Sequence, residues 1–140
     1  MIADIVTRLQ ATVPALKLVG GAALFQSAAE HNPKATPAAY VIPLAEDPAP
    51  NHMGNVLIQR VTLRVGVILV TRNLADATGA AASQDMGLMR KLVKAQLYGW
   101  QPSSELDPLE RGRSGLLAFR DGHMWWQDIY VTSTLDKSTL

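Results

Sequence analysis

From Val56 to Arg72 the chain reads VLIQRVTLRVGVILVTR, a run rich in β-branched residues and free of proline. From Val61 its apolar positions alternate, placing Val61, Leu63, Val65, Val67 and Leu69 on one face of a strand. At about 3.3 Å per residue this stretch spans roughly 55 Å. A compact domain of this length has a radius of gyration of about 14 Å and a diameter of roughly 37 Å. The strand is therefore expected to bend, bulge or project, with Gly66 as the bend point. A projecting strand needs a partner for its backbone, because an open edge invites pairing with another chain. The pattern points to assembly, with the strand supplying edges for a neighbour.

Before this strand, Ile2, Ile5, Val6, Leu9 and Val13 follow helical spacing, predicting an amphipathic helix over 2–13 that Pro14 ends. Leu16 to Val19 is a short apolar run stopped by Gly20-Gly21, and Ala22 to Glu30 reads as a second short helix with Leu24 and Phe25 as core residues. After a loop from Asn32 to Pro37, Ala38 to Leu44 reads as a strand. Pro43 within it argues for an edge position or the end of pairing. Residues 45–55 (AEDPAPNHMGN) read as a flexible connection. A polar turn is expected from Asn73 to Gly79. A helix follows over about 80–98, with Met86, Leu88, Met89, Leu92, Val93 and Leu97 on one broad arc and Arg90, Lys91 and Lys94 on the other. Gly99 sits at its C-terminal cap with Pro102 beyond.

Asp121-Gly122 is the favoured pair for a two-residue type I′ hairpin between Leu116–Arg120 and His123–Thr134. That turn predicts the pairs Arg120–His123, Phe119–Met124, Ala118–Trp125, Leu117–Trp126 and Leu116–Gln127. Both faces of the hairpin are then apolar, one carrying Phe119, Met124, Leu117, Trp126 and Tyr130, the other Trp125, Leu116, Ile129 and Val131. Because adjacent strand residues point to opposite faces, one tryptophan of Trp125-Trp126 fills the core while the other is either an outward interface anchor or covered within the monomer. With no regular βα alternation, the element order predicts an α+β fold. It is expected to have a mainly antiparallel sheet with a long central strand and a C-terminal β-hairpin, and two main helices packed on one face. A single domain over 1–140 is expected.

Composition narrows the chemistry. An apolar fraction of 48% with 18% charged residues suits a globular core, and a net charge of +1 recruits neither nucleic acid nor an anionic membrane. The absence of cysteine excludes disulfides, thiolate catalysis and cysteine-ligated zinc. The N-terminus, MIADIVTRLQ, lacks the basic start and apolar block of a signal peptide, and no apolar stretch reaches the ~18 residues of a membrane span. A soluble, non-secreted protein is expected. His31, His52 and His123 are far apart in sequence and lack metal-ligand spacing, so surface histidine is the ordinary reading. Asp121 is explained by its turn. Asp128, in mid-strand, is expected to pair with Arg60 or Arg64, a structural or intersubunit salt bridge outweighing catalysis. Gly112-Arg113-Ser114-Gly115 fits neither a phosphate loop nor GxGxxG, and there is no GxSxG elbow. The Arg90, Lys91, Lys94 arc is most simply a solvated face. No cofactor or metal is expected.

Several pieces together resemble the small tail terminator proteins of long-tailed bacteriophages and prophages. They are VPAL (Val13 to Leu16) and VGGAA (Val19 to Ala23) after the first helix, PAAYVIPLAE (Pro37 to Glu46), TRN (Thr71 to Asn73) closing the long strand, LYGWQP (Leu97 to Pro102), and WWQDIYVT (Trp125 to Thr132). The resemblance spans nearly the whole chain and rests on order and length more than on any single motif. It implies a non-enzymatic virion protein that stops tail-tube growth as a ring, usually hexameric, and later offers a surface for head–tail joining. Its partners would be further copies of itself, the tail tube protein and a head–tail connector, with nucleic acid present only as DNA passing through the lumen. It would reside at the head-proximal end of the tail, after assembly in the host cytoplasm. No catalytic residue carries over. A ring contact is heterologous, one patch meeting a different patch on the next copy. On this reading Arg60, Arg64, Trp125, Asp128, His52 and Met53 are the expected interface residues. Arg64→Glu and Trp125→Ala are expected to change assembly size.

Overall fold

A computed structural model describes residues 1–73, 78 and 80–139. The elements are α1 (Ile2–Thr12), β1 (Leu18–Gly20), α2 (Ala22–His31), β2 (Ala38–Pro48), β3 (Ile58–Arg72), α3 (Ala80–Leu97), β4 (Glu110–Arg120) and β5 (His123–Lys137). The five strands form one sheet in the order β1-β2-β3-β5-β4, antiparallel except for the short β1–β2 pair. The fold is the expected α+β arrangement with a long central strand and a C-terminal hairpin. Of the turn predicted between Asn73 and Gly79, residues 74–77 and 79 lie outside the described residues.

Two apolar clusters flank the sheet. On one face α1 contributes Ile5 and Leu9, and α3 contributes Ala82, Met86, Met89, Val93 and Leu97. They pack on Val41, Val65, Val67, Leu69 and Tyr130. These are the two main helices expected on one face. The spacing of their apolar residues puts one stripe of each helix toward the alternate residues of β3. On the opposite face α2 covers Ala38, Tyr40, Ile68, Val70 and Trp125 through Ala28 and Phe25. Phe25 meets Tyr40 at 5.9 Å and Trp125 edge-on at 6.3 Å, and Tyr40 stacks on Trp125 at 6.5 Å.

Local sequence determines the element ends. Pro14 follows directly after Val13, whose N–H closes α1 onto the carbonyl of Leu9. Gly99, at φ 81°, takes the left-handed conformation that ends α3, as its position predicts. Asp121 and Gly122 have φ of 50° and 72°, the two positive values that a type I′ turn requires.

Several expectations need correction. The long strand is not an edge. β3 pairs with β5 along its whole length, from Ile58 with Lys137 to Arg72 with His123, and with β2 from Val61 to Val70. Nor does it break at Gly66, where the register with β5 runs through unshifted. Gly66 is there for space: a Cβ would lie 3.0 Å from Gln127 Oε1 and 3.2 Å from Leu44 Cδ1. The irregularity is in β2, between Pro43 and Ala45. Pro43 does sit where β2 is an edge, since β1 pairs only as far as Tyr40, but pairing with β3 continues to Pro48. Residues 45–48 therefore belong to a strand and not to the connection. In the hairpin the first three predicted pairs form, and then a bulge between Leu116 and Ala118 shifts the register, pairing Leu116 with Trp126 and Gly115 with Gln127. In α2 the buried residue is Ala28, and Leu24 is half exposed. In α3, Leu88 and Leu92 face solvent at 64% and 46% exposure, so the buried arc is narrower than the apolar one.

Past Val41, Val65 and Tyr130 the sheet continues, with Val61 and Thr132 still buried. The ends of β2 and β5 and the start of β3 continue as a three-stranded arm whose outermost residues are largely exposed. Its β5 edge is bordered by the segment before β4. Asp107 N–H donates to the Ser133 carbonyl, and Thr132 and Thr134 hydroxyls donate to the carbonyls of Asp107 and Glu105.

Candidate assembly surfaces

At the arm, the loop from 49 to 57 is organised around Asn51. Its amide Nδ2 donates to the carbonyls of Met53 and Val56, and its Oδ1 accepts from the N–H groups of Met53 and Ile58. The Ala49 N–H reaches the Arg60 carbonyl at 2.7 Å, and the Ser138 N–H reaches the Leu57 carbonyl at 2.9 Å. The result is a shaped tip that presents His52 and the half-exposed Met53, Val56 and Leu57 to solvent. Leu44 and Leu135 add exposed apolar surface along the arm.

Arg60 and Arg64 lie on one face of the arm. Arg60 Nη1 meets Asp107 Oδ2 at 3.2 Å and Ser133 Oγ at 2.8 Å, and Arg64 pairs with Asp47. Glu46, Glu105 and Asp136 are exposed and form no ion pair among the described residues. The arm thus combines an apolar tip with an excess of carboxylates.

The expected pairing of Asp128 with Arg60 or Arg64 does not occur. Asp128 is on the α1/α3 face of β5, buried at 4% exposure, and its partner is Arg90 of α3. The guanidinium fork is bidentate, Nε to Oδ2 at 2.9 Å and Nη2 to Oδ1 at 2.8 Å, and it lies 4.5 Å above the Trp126 ring. Trp126 Nε1–H donates to the same carboxylate at 3.3 Å, and Arg111 Nη2 stands 3.7 Å away. Hydrogen bonding to Asp128 raises the Arg90 pKa. The neighbouring Tyr130 phenol is pushed up to about 12, first by burial and then by the Asp128 charge. A carboxylate held by a guanidinium fork and an indole is a structural acceptor, and the raised pKa keeps the neighbouring phenol protonated near neutral pH. Arg90 was missed because it was grouped with Lys91 and Lys94. It follows Met86 by four residues and precedes Val93 by three, both buried, which places it on the rim of the core.

Around this pair, α3 and the β4–β5 hairpin form an open groove of about 370 Å³ lined by Gly87, Arg90, Lys91, Lys94, Arg111 and Tyr130 above Asp128. Lys91 and Lys94 are exposed and form no ion pair among the described residues, and Lys94 lies over the exposed Tyr98 ring at 5.6 Å. Next to the groove, edge strand β4 exposes Leu116, Leu117 and Phe119 at 54%, 49% and 42%. This flank is therefore apolar and cationic.

Trp125 is not the outward tryptophan. It is 3% exposed beneath α2, with Arg120 at 5.1 Å from its ring, because α2 covers its face of the sheet. Of the six expected interface residues, the fold gathers Arg60, Arg64, His52 and Met53 at the arm, and places Trp125 and Asp128 inside the body. His123 is also buried. Its Nδ1–H donates to the Asp121 carbonyl at 3.0 Å, and burial lowers its pKa. Among the described residues no group of His, Asp or Glu is placed to hold a metal ion, and no helix is long and apolar enough to cross a membrane.

The sequence model of a family described as Phage tail terminator protein matches residues 2–138, so the chain belongs to that family. The family gives it a structural role in the phage tail. No curated protein matches the chain.

Proposed function

We propose that this member of the phage tail terminator family caps the tail tube as a homo-oligomeric ring, ending tube elongation and leaving a surface for head–tail joining. In the ring, a hexamer as the resemblance implies, each copy meets its neighbour by a heterologous contact, so two different patches on one chain face each other around the circle. The observation that carries this reading is the distribution of exposed apolar side chains. Among the described residues most of them fall in two unlike places, the arm (Leu44, Met53, Val56, Leu57, Leu135) and the β4 flank (Leu116, Leu117, Phe119), with Leu24 on α2 and Leu88, Leu92 and Tyr98 on or beside α3. Exposed apolar patches of this kind mark surfaces that another protein covers. The tail tube protein would take the place below the ring and a head–tail connector the place above it, at the head-proximal end of the tail. Assembly would take place in the host cytoplasm, and nucleic acid would meet the ring only as DNA passing through its lumen.

Two measurements test this together. Light scattering from micromolar to near-millimolar protein is expected to show a mass rising toward a ring. Tubes growing from purified tube protein are expected to stop lengthening when the chain is added, with density at one end in electron micrographs. A monomer at every concentration, together with tubes that keep growing and bind no cap, would overturn the reading.

A further inference from the structure

We infer that the arm of one copy docks on the cationic α3–β4 flank of the next. This rests on the ring reading and names the two surfaces that would meet. Charge is segregated on a chain that is nearly neutral as a whole. The flank sets Arg90, Lys91, Lys94 and Arg111 around one carboxylate, Asp128, which Arg90 already occupies. Lys91 and Lys94 are left exposed and unanswered within the chain. The arm has the opposite surplus. Arg64 and Arg60 answer Asp47 and Asp107, while Glu46, Glu105 and Asp136 remain exposed without an ion pair against one further exposed cation, Lys137. Among the described residues these opposite surpluses form no ion pair with each other within a copy; between copies they meet, set register and exclude the reversed contact.

Apolar surface matches in the same pairing. The tip residues Met53, Val56 and Leu57 on the arm, and Leu116, Leu117 and Phe119 beside the groove, supply a desolvated centre, with the charges as its rim. Strand addition is not the mode of contact. The free edge of β4 is interrupted by register shifts between Arg111 and Ser114 and between Leu116 and Ala118, and the free edge of β2 carries Pro43 and a shift of its own. Such interruptions protect an edge from pairing. The contact is made by side chains, with a shaped tip entering an open groove.

The test is a charge exchange, read by light scattering of the free protein and by capping of tubes. Lys91→Glu with Lys94→Glu is expected to raise the concentration needed for half-assembly at least about tenfold. Glu46→Lys with Glu105→Lys and Asp136→Lys is expected to do the same. All five positions are exposed, and circular dichroism is expected to show each variant folded. The chain carrying all five changes is expected to recover assembly, because its surfaces are again opposite in sign. Wild-type rings that are unaffected by either set would overturn this contact and leave the ring reading standing. Two disruptive sets whose combination stays disrupted would show that the surfaces do not meet each other, and would also overturn it. A wild type that never assembles, free or on tubes, would remove the ring reading and this contact with it.

Discussion

At the scale of single residues, the Arg90–Asp128 pair is the most consequential contact. A nearly buried carboxylate is tolerated because a bidentate guanidinium and an indole N–H satisfy it. Arg90→Ala would leave that charge uncompensated. The expected cost is about 3 kcal/mol, read from the urea midpoint. Arg90→Lys keeps the charge but loses the fork and the stacking on Trp126, so a smaller loss is expected. His123 makes stability depend on pH. Its pKa is lowered in the folded protein, so the unfolded chain binds the proton more readily, and stability falls as pH drops through the ordinary histidine range near about 6.5. His123→Gln is expected to flatten the slope of melting temperature against pH between roughly 7 and 5. A wild-type profile that is flat over that interval would remove this account.

At the scale of elements, Trp125 stands for what the sequence could and could not tell. Its alternation with Trp126 correctly sends the two rings to opposite faces, but nothing local says that a ten-residue helix, Ala22–His31, will be laid across one of those faces. Coverage by α2 is a tertiary fact. Trp125→Ala is accordingly expected to cost about 4 kcal/mol of stability as a core truncation, with loss of near-ultraviolet dichroism. An assembly defect without destabilisation is not expected. The elements with strong local signals were legible: α1 with its Pro14 stop, the Gly99 cap, the Asp121-Gly122 turn and the length of β3. The bulge in β4 was not, because the turn fixes register only near itself. Gly66 was read as a bend from a rule about glycine in strands. The actual cause, crowding by Gln127, Leu44 and Ile42, involves residues remote in sequence. Gly66→Ala is expected to cost about 2 kcal/mol, by overpacking against those side chains.

At the scale of the whole molecule, the chain is a two-sided sheet body with one arm, and its unsatisfied surface is divided between the arm and the opposite flank. The candidate interface was partly legible. Arg60, Arg64, His52 and Met53 fall together at the arm, whereas the hairpin pattern, apolar on both faces, does not say which of Leu116, Leu117 and Phe119 stay exposed. Arg64→Glu would break the pair with Asp47 and place a further negative charge on an already acidic arm. The expected result is a folded chain whose assembly responds more steeply to salt, checked by scattering at two ionic strengths. The unbroken pairing of β3 with β5, from the arm's first residue to the depth of the core, has a mechanical meaning. Such an arm is a beam built into its wall, with no hinge at the point where it leaves the body. A push at the tip is delivered to the seats of α1 and α3, and the angle at which each copy reaches for the next is set by core packing and not by a pliable connection. The geometry of the assembled circle would then be written in Val65 and Val67, side chains buried in the body of each copy.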